Sequence, residues 1–176
     1  MLRLISAVRS AIETQNWYSA LLVSLSLPDI CGRIEEPSKG GRERYEHFFN
    51  RYLAQFYTGP PGHTGAPHTF LSGSDCYALR CSYIHEGRDD ITTQKARQTL
   101  ERFRFSAPDS GIVLHCIQMG NVLQLQVDIF CEHVCQAVEV WLKDVSGDAE
   151  VEQRMKTLLT VYPTANLPGF SRTRKV

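Results

Sequence analysis

Apolar residues recur every three or four positions through most of this 176-residue chain, and such spacing predicts a protein built mainly of α-helices. The clearest case runs from Arg42 to Tyr57, where the spacing predicts one helix with a broad apolar face. That face consists of six large side chains, namely Tyr45, Phe48, Phe49, Tyr52, Leu53 and Phe56. Because a helix with such a face is stable only when the face is covered, the pattern predicts several helices packed as a bundle.

The other helices follow from the same spacing and from residues that begin or end helices. The segment before Pro28 predicts one long helix, or two in tandem with a break near Gln15 and Asn16. Pro28 is expected to end this helix, because proline lacks the N–H that helical hydrogen bonding needs. Three later helices are predicted at Ser74–Glu86, Thr92–Arg102 and Ile129–Val145. The expected interior of the bundle is Phe49, Phe56, Leu79, Val138 and Trp141.

Two segments depart from the helical spacing. Thr58–His68 is rich in glycine and proline and is predicted to be a loop. Between Val122 and Val127 the apolar residues alternate with polar ones, which favours a strand, and Met119-Gly120-Asn121 is typical of a hairpin turn. A further short strand is expected at Phe103–Phe105.

The predicted fold is therefore mainly α: a helical bundle with a small inserted antiparallel β-hairpin at about residues 111–128. Residues 1–162 are expected to form a single domain, and residues 163–176 a flexible tail.

Composition limits the kinds of partner. Lysine plus arginine and aspartate plus glutamate both number 19, so the chain has no net charge. This balance argues against a broad surface that binds nucleic acid or membrane. It is still compatible with a local basic cleft. The longest apolar stretch, Ala20–Leu27, is too short to span a bilayer, so no membrane contact is expected. The six cysteines have no repeating spacing, which favours reduced cysteines, mostly in the core, of a cytoplasmic protein.

One short motif carries chemistry. Arg80 and His85 stand near the end of the predicted helix Ser74–Glu86, with Gly87 placed to end it. Arginine supplies a permanent positive charge and a planar set of donors that suits phosphate. Histidine is the side chain best suited to move a proton near neutral pH. Side chains five positions apart differ by about 140° around a helix, so the two are expected to meet only where the helix frays or widens at His85, or where a partner subunit completes the site.

The segment Tyr77–Gly87 resembles the "L-R-N-x-x-x-H-G" element of the HEPN superfamily, through Leu79, Arg80, His85 and Gly87, with one residue inserted before the glycine. The resemblance implies an HEPN-like bundle and, in catalytic members, a metal-independent ribonuclease site shared by two subunits of a homodimer. Arg80 would then stabilise the charge that develops on phosphate, and His85 would act as acid and base. Cys81 stands where the family favours asparagine, and Ser82 is the residue that would take over part of its polar role.

Two main hypotheses of function follow. The first is a metal-independent endoribonuclease that forms a cyclic phosphate, acting as a toxin or defence component. The second is a catalytically silent module that binds RNA, a nucleotide or a protein such as an antitoxin or regulator. A purely structural dimerisation domain is a third possibility. No cofactor is expected in any of these cases.

Other interpretations of the same residues stay open. Arg80 can instead pair with a carboxylate, such as Asp75 or one on another helix, and His85 can cap the helix end. A zinc site is one interpretation of the closely spaced Cys131, His133 and Cys135. On a helix, however, His133 points away from the two cysteines, which favours core packing. Two histidines beside the proline-rich loop, and five arginine and lysine residues after the motif, are expected to be solvated. They are His63, His68, Arg88, Lys95, Arg97, Arg102 and Arg104.

Overall fold

Six α-helices and five short strands make up most of the regular structure in the part of the chain that the computed structural model describes, residues 1–61 and 67–164. The helices are α1 Leu2–Glu13, α2 Trp17–Glu35, α3 Gly41–Phe48, α4 Gly73–Glu86, α5 Val127–Asp144 and α6 Ala149–Met155. The strands are β1 Thr58–Pro61, β2 Pro67–Thr69, β3 Arg102–Ser106, β4 Ile117–Met119 and β5 Val122–Gln126. The prediction of a mainly α protein is confirmed. Most of the predicted tail, residues 165–176, lies outside the described residues, as does His63.

The helix α2 is the centre of the bundle and packs against α1, α3 and α5. Four of the five side chains predicted to lie inside, Phe49, Leu79, Val138 and Trp141, are buried. The fifth, Phe56, is half-buried, so that part of the prediction is wrong. Trp141 is fully buried, and its indole N–H donates to the Glu35 carboxylate at 2.8 Å. This contact joins the end of α5 to the end of α2.

The predicted break between tandem helices is confirmed, but the predicted stop at Pro28 is wrong. Gln15 adopts a positive φ of 56°, and the Asn16 side chain accepts from the Ser19 N–H at 3.3 Å to begin α2. Pro28 lies buried inside α2, which continues to Glu35. An interior proline costs a helix about 3 kcal/mol. The packing of α2 against three other helices is what offsets this cost.

The long helix predicted for residues 42–57 is divided. It begins as α3, widens into a π-helical turn at Phe49–Leu53 and tightens into a 3-10 turn at Ala54–Phe56. A π turn shifts the side chains that follow around the helix axis. In this way Tyr52 and Leu53 are both buried beside Phe49.

Two further expectations are corrected. The predicted loop Thr58–His68 contains the antiparallel pair β1 and β2, because main-chain pairing of Thr58 with Thr69 does not depend on the glycine- and proline-rich composition between them. The predicted helix Thr92–Arg102 is a series of turns. There the Gln98 and Thr99 N–H groups donate to the Asp75 carboxylate at 2.6 Å and 3.2 Å instead of to helical carbonyls.

The predicted hairpin is confirmed as β4 and β5, although it is shorter than residues 111–128 and belongs to a larger sheet. The strand order is β3–β5–β4, and β3 runs parallel to β5 with Arg102 opposite Val122. The strand predicted at Phe103–Phe105 is therefore confirmed within β3. The alternation in β5 is confirmed as far as Leu125, since Leu123 and Leu125 are fully buried, but it fails at Gln126, which is buried as well.

Two histidines pack together beneath the segment that leads into β4. The rings of His115 and His133 lie 5.2 Å apart, and Phe56 stacks on His133 at 4.2 Å. His133 Nδ1 lies 3.4 Å from the hydroxyl of the fully buried Tyr57. Burial, followed by the nearby His115, lowers the pKa of His133 from 6.5 to about 4. Burial also lowers the pKa of His115.

Because the pKa values of both histidines are lowered, we expect the free energy of unfolding to decrease in mild acid. Because the folded-state pKa of His133 lies below its unfolded value, the unfolded chain binds more protons between pH 6.5 and 4, and stability falls as the pH falls through this window. After allowance for partial exposure, we expect a loss of about 1–2 kcal/mol. Urea unfolding at several pH values should show this loss, and the slope should flatten in His133→Gln. An equal slope in the variant would contradict the assignment.

Candidate functional site

The candidate site lies at the C-terminal end of α4, whose two ends are fixed by local signals in the sequence. The Ser72 side chain accepts from the Asp75 N–H at 3.1 Å and begins the helix. Gly87 ends it with a left-handed φ of 67°, a conformation that side chains with a Cβ rarely adopt. The predicted helix Ser74–Glu86 and the role of Gly87 are both confirmed. This termination leaves His85 on the last turn, exposed to solvent.

Arg80 and His85 meet within a single subunit. The Arg80 Nη1 atom lies 3.1 Å from His85 Nε2. The expectation that they meet only in a frayed or widened helix or with a partner's help is wrong, because the long arginine side chain spans the difference in direction while α4 stays α-helical to Glu86. Since a guanidinium can only donate, His85 Nε2 is the acceptor in this contact.

A second contact holds the other side of the Arg80 guanidinium. Its Nη2 atom donates to Asp29 Oδ2 at 2.9 Å, and Arg44 Nη2 lies 3.6 Å from Asp29 Oδ1. One carboxylate from α2 thus lies between two guanidiniums, from α3 and α4. The alternative interpretation of Arg80 as an ion-paired residue is therefore confirmed, with Asp29 as the partner. Asp75 is occupied by the main-chain N–H groups of Gln98 and Thr99.

Both arginines retain buried donors. The Nε atoms of Arg44 and Arg80 are buried and have no hydrogen-bond partner among the described residues. The two side chains are only 12% and 19% exposed. A buried donor without an acceptor costs about 1–3 kcal/mol, so these two N–H groups lower the stability of this part of the fold.

Cys81 and Ser82, which follow Arg80 in the motif, lie in different surroundings. Cys81 is half-buried on α4, one turn after Tyr77. Burial, followed by the neighbouring Cys81 thiol, raises the pKa of the Tyr77 phenol. Ser82 is fully buried, and its hydroxyl donates to the Asp90 carbonyl at 2.6 Å. The structure therefore does not bring the Ser82 hydroxyl together with Arg80 and His85.

Sequence patterns gave no signal for Asp29 and Arg44. Asp29 follows Pro28, where the helix was expected to end, and a continued α2 is what carries its carboxylate to Arg80. Arg44 lies on the polar side of α3, where arginine is normally solvated. Both contacts join helices distant in sequence, and spacing along one helix cannot predict them.

The other candidate residues that the structure describes form no comparable site. Cys131 and Cys135 are buried in the core on α5, as expected. Within residues 1–61 and 67–164, no group of three or more histidine, cysteine, aspartate or glutamate side chains could hold a metal ion. Of the arginines after the motif, Arg102 pairs with Asp90 at 2.9 Å, and Arg88 lies 3.5 Å from Glu86. These surface pairs agree with a solvated face.

Comparisons with known proteins do not show a family for this chain. The chain matches no model of a known protein family, and no significant similarity was found among curated proteins or solved structures. Among the described helices, none combines the length and the apolar character needed to cross a membrane.

Proposed function

We propose that this protein is an HEPN-like, metal-independent endoribonuclease whose reaction uses Arg80 and His85. The 3.1 Å contact between the two side chains carries the proposal, because it joins a phosphate-binding cation and a proton acceptor at the exposed end of α4. The segment Tyr77–Gly87, which resembles the HEPN element, supports the same assignment.

The proposed reaction needs only the groups of the protein and the RNA. The ribose 2′-hydroxyl attacks the adjacent phosphorus, and His85 Nε2 accepts the hydroxyl proton once the phosphate has taken the Arg80 Nη1–H that Nε2 faces in the structure. The bond from phosphorus to the 5′-oxygen breaks, and a protonated histidine returns a proton to the leaving oxygen. Arg80 donates to the phosphate oxygens, whose negative charge increases in the transition state. The products are a 2′,3′-cyclic phosphate and a 5′-hydroxyl.

Asp29 gives Arg80 its orientation in this scheme. It holds Nη2 at 2.9 Å, which leaves for phosphate the Nη hydrogens that Asp29 does not take, including the Nη1–H that faces His85 in the structure. A guanidinium has five N–H donors, so it can keep the carboxylate and bind phosphate at once.

We further predict a homodimer with the α4 ends around His85 near the two-fold axis. One histidine must both accept and return a proton, whereas two subunits would supply one histidine for each step. Light scattering across a range of concentrations should report twice the monomer mass. A monomer at every concentration would rule out the shared site and leave His85 to serve both steps alone.

A second candidate function is a silent module that binds RNA, a nucleotide or a protein such as an antitoxin or regulator. Two observations favour it: the Asp29 carboxylate already neutralises Arg80, and Cys81 is a weak hydrogen-bond donor where the family favours asparagine. In this case Arg80 and His85 would bind without cleaving.

Incubation of varied RNAs in EDTA separates the two candidates. We expect the wild type to cut RNA, and Cys81→Asn to cut faster if the thiol limits activity. Cys116→Asn is the matched control, because Cys116 is also half-buried and its φ of 55° suits asparagine. If the wild type and Cys81→Asn both leave every RNA intact while one of them is bound, the binding module replaces the ribonuclease.

A further inference from the structure

A groove of about 540 Å³ shares two residues, Asp29 and Arg44, with the candidate site. Its wall also contains Arg33 from α2 and Arg154 from α6. Three guanidiniums therefore line the groove against a single carboxylate, in a protein that has no net charge as a whole. Such a local excess of positive charge attracts anions.

The three arginines keep donors available after their contacts within the protein are counted. Arg33 donates to the Pro37 carbonyl and Arg154 Nε to the Ile34 carbonyl, each at 2.5 Å, so both satisfy carbonyls at and just beyond the end of α2. Arg154 also pairs with Glu150 at 3.1 Å, but that carboxylate is 84% exposed and screened by solvent. Arg44 donates from Nη1 to the Lys39 carbonyl and faces Asp29 through Nη2, and its buried Nε–H has no partner among the described residues, so only its remaining Nη hydrogens can face an anion. Because each guanidinium has five donors, all three can still bind an anion.

The groove also has an apolar side. Ile30 and Leu158 lie in the same wall as the arginines. A simple inorganic anion would make no use of these side chains. A nucleotide unit would, because its base or ribose can cover apolar surface while its phosphate contacts arginine.

The position of Asp29 sets the relation between the groove and the candidate site. One carboxylate oxygen contacts Arg80 and the other faces Arg44, so the two guanidiniums are separated by the width of a carboxylate. Phosphates bound to each of them would be near neighbours on one strand.

We propose that this groove is a second phosphate-binding subsite, which holds the nucleotide next to the one at Arg80 and His85. The inference rests on the proposed ribonuclease function and adds the path of the RNA: from Arg80, past Asp29, to Arg33, Arg44 and Arg154. These groove residues position the substrate and take no part in proton transfer.

Binding of a fluorescently labelled RNA in the His85→Ala background tests the subsite without interference from cleavage. We expect the double variant Arg33→Gln/Arg154→Gln to weaken binding about tenfold and to reduce the salt dependence. Ile30→Glu should weaken binding as well, because it places a negative charge in the groove and keeps the hydrogen bonds that Arg33 and Arg154 donate to carbonyls near the end of α2. Arg51→Gln is the control, since Arg51 lies outside the groove wall and pairs with Glu35 and Asp144.

A nucleoside monophosphate tested on the same variants identifies the source of the phosphate. If it competes with RNA and loses affinity in Ile30→Glu, the groove accepts a free nucleotide as well. Equal RNA affinity in Ile30→Glu, the double variant and Arg51→Gln would overturn the subsite. That failure differs from failure of the proposed function, in which the wild type binds RNA but leaves it uncut.

Discussion

Replacing His85 with alanine is expected to lower the rate of RNA cleavage by about 10²–10⁴-fold, the usual contribution of a general acid–base group. The fold should be unaffected, because His85 is exposed on the last turn of α4 and contributes nothing to the core. Initial cleavage rates in EDTA, together with urea unfolding of both proteins, measure the two effects separately.

The same experiment includes Arg80→Lys as a second test of the site and His68→Ala as the control. Lysine keeps the positive charge and can still pair with Asp29, but it lacks the planar set of donors that reaches His85 and phosphate together, so we expect cleavage to fall steeply. His68 is an exposed histidine on β2 that bonds Gln118 at 2.9 Å, and its removal should leave cleavage unchanged. Full activity in His85→Ala would remove the histidine from the mechanism.

Trp141→Ala is expected to destabilise the fold by about 3–5 kcal/mol, the range for truncating a large aromatic residue in a core. Trp141 is fully buried in α5, and its loss would also leave the Glu35 carboxylate without the indole donor at 2.8 Å. Urea denaturation should show a much lower midpoint. Trp17→Ala is the matched control, since Trp17 is only half-buried at the start of α2 and should cost less. An unchanged midpoint for Trp141→Ala would mean that α5 does not bury this face.

Local signals in the sequence predicted α4 well. Its first residues follow the capping hydroxyl of Ser72, and it ends at Gly87, whose φ of 67° needs no tertiary contact to explain it. The pairing of β4 with β5 was equally accessible, because a glycine turn and alternating side chains are properties of adjacent residues.

Long-range packing overrode other local signals. Pro28 would break an isolated helix, yet α2 is covered by three neighbours and continues through it. Thr92–Arg102 has helical spacing, yet the Asp75 carboxylate takes the N–H groups of Gln98 and Thr99. The parallel pairing of β3 with β5 was also missed, because nothing in one strand indicates which distant strand lies beside it.

The candidate site likewise contains residues that local sequence predicts and residues that only the folded structure brings together. Arg80 and His85 were predicted because they occupy one helix at a recognisable spacing. Asp29 and Arg44 come from two other helices and meet Arg80 only in the folded bundle. The Asp29 carboxylate orients Arg80. Under the proposed function it would also compete with phosphate for the Arg80 guanidinium, which the sequence motif alone does not indicate.

The central claim is that Arg80 and His85 promote attack by the RNA's own 2′-hydroxyl. The most direct test uses an RNA cut at one position and the same RNA with a single 2′-deoxy substitution at that position, both incubated with the wild type in EDTA. We predict that only the unsubstituted RNA is cut and that its upstream product ends in a 2′,3′-cyclic phosphate. Cleavage of both substrates, or an upstream product with a free 3′-hydroxyl, would contradict the mechanism.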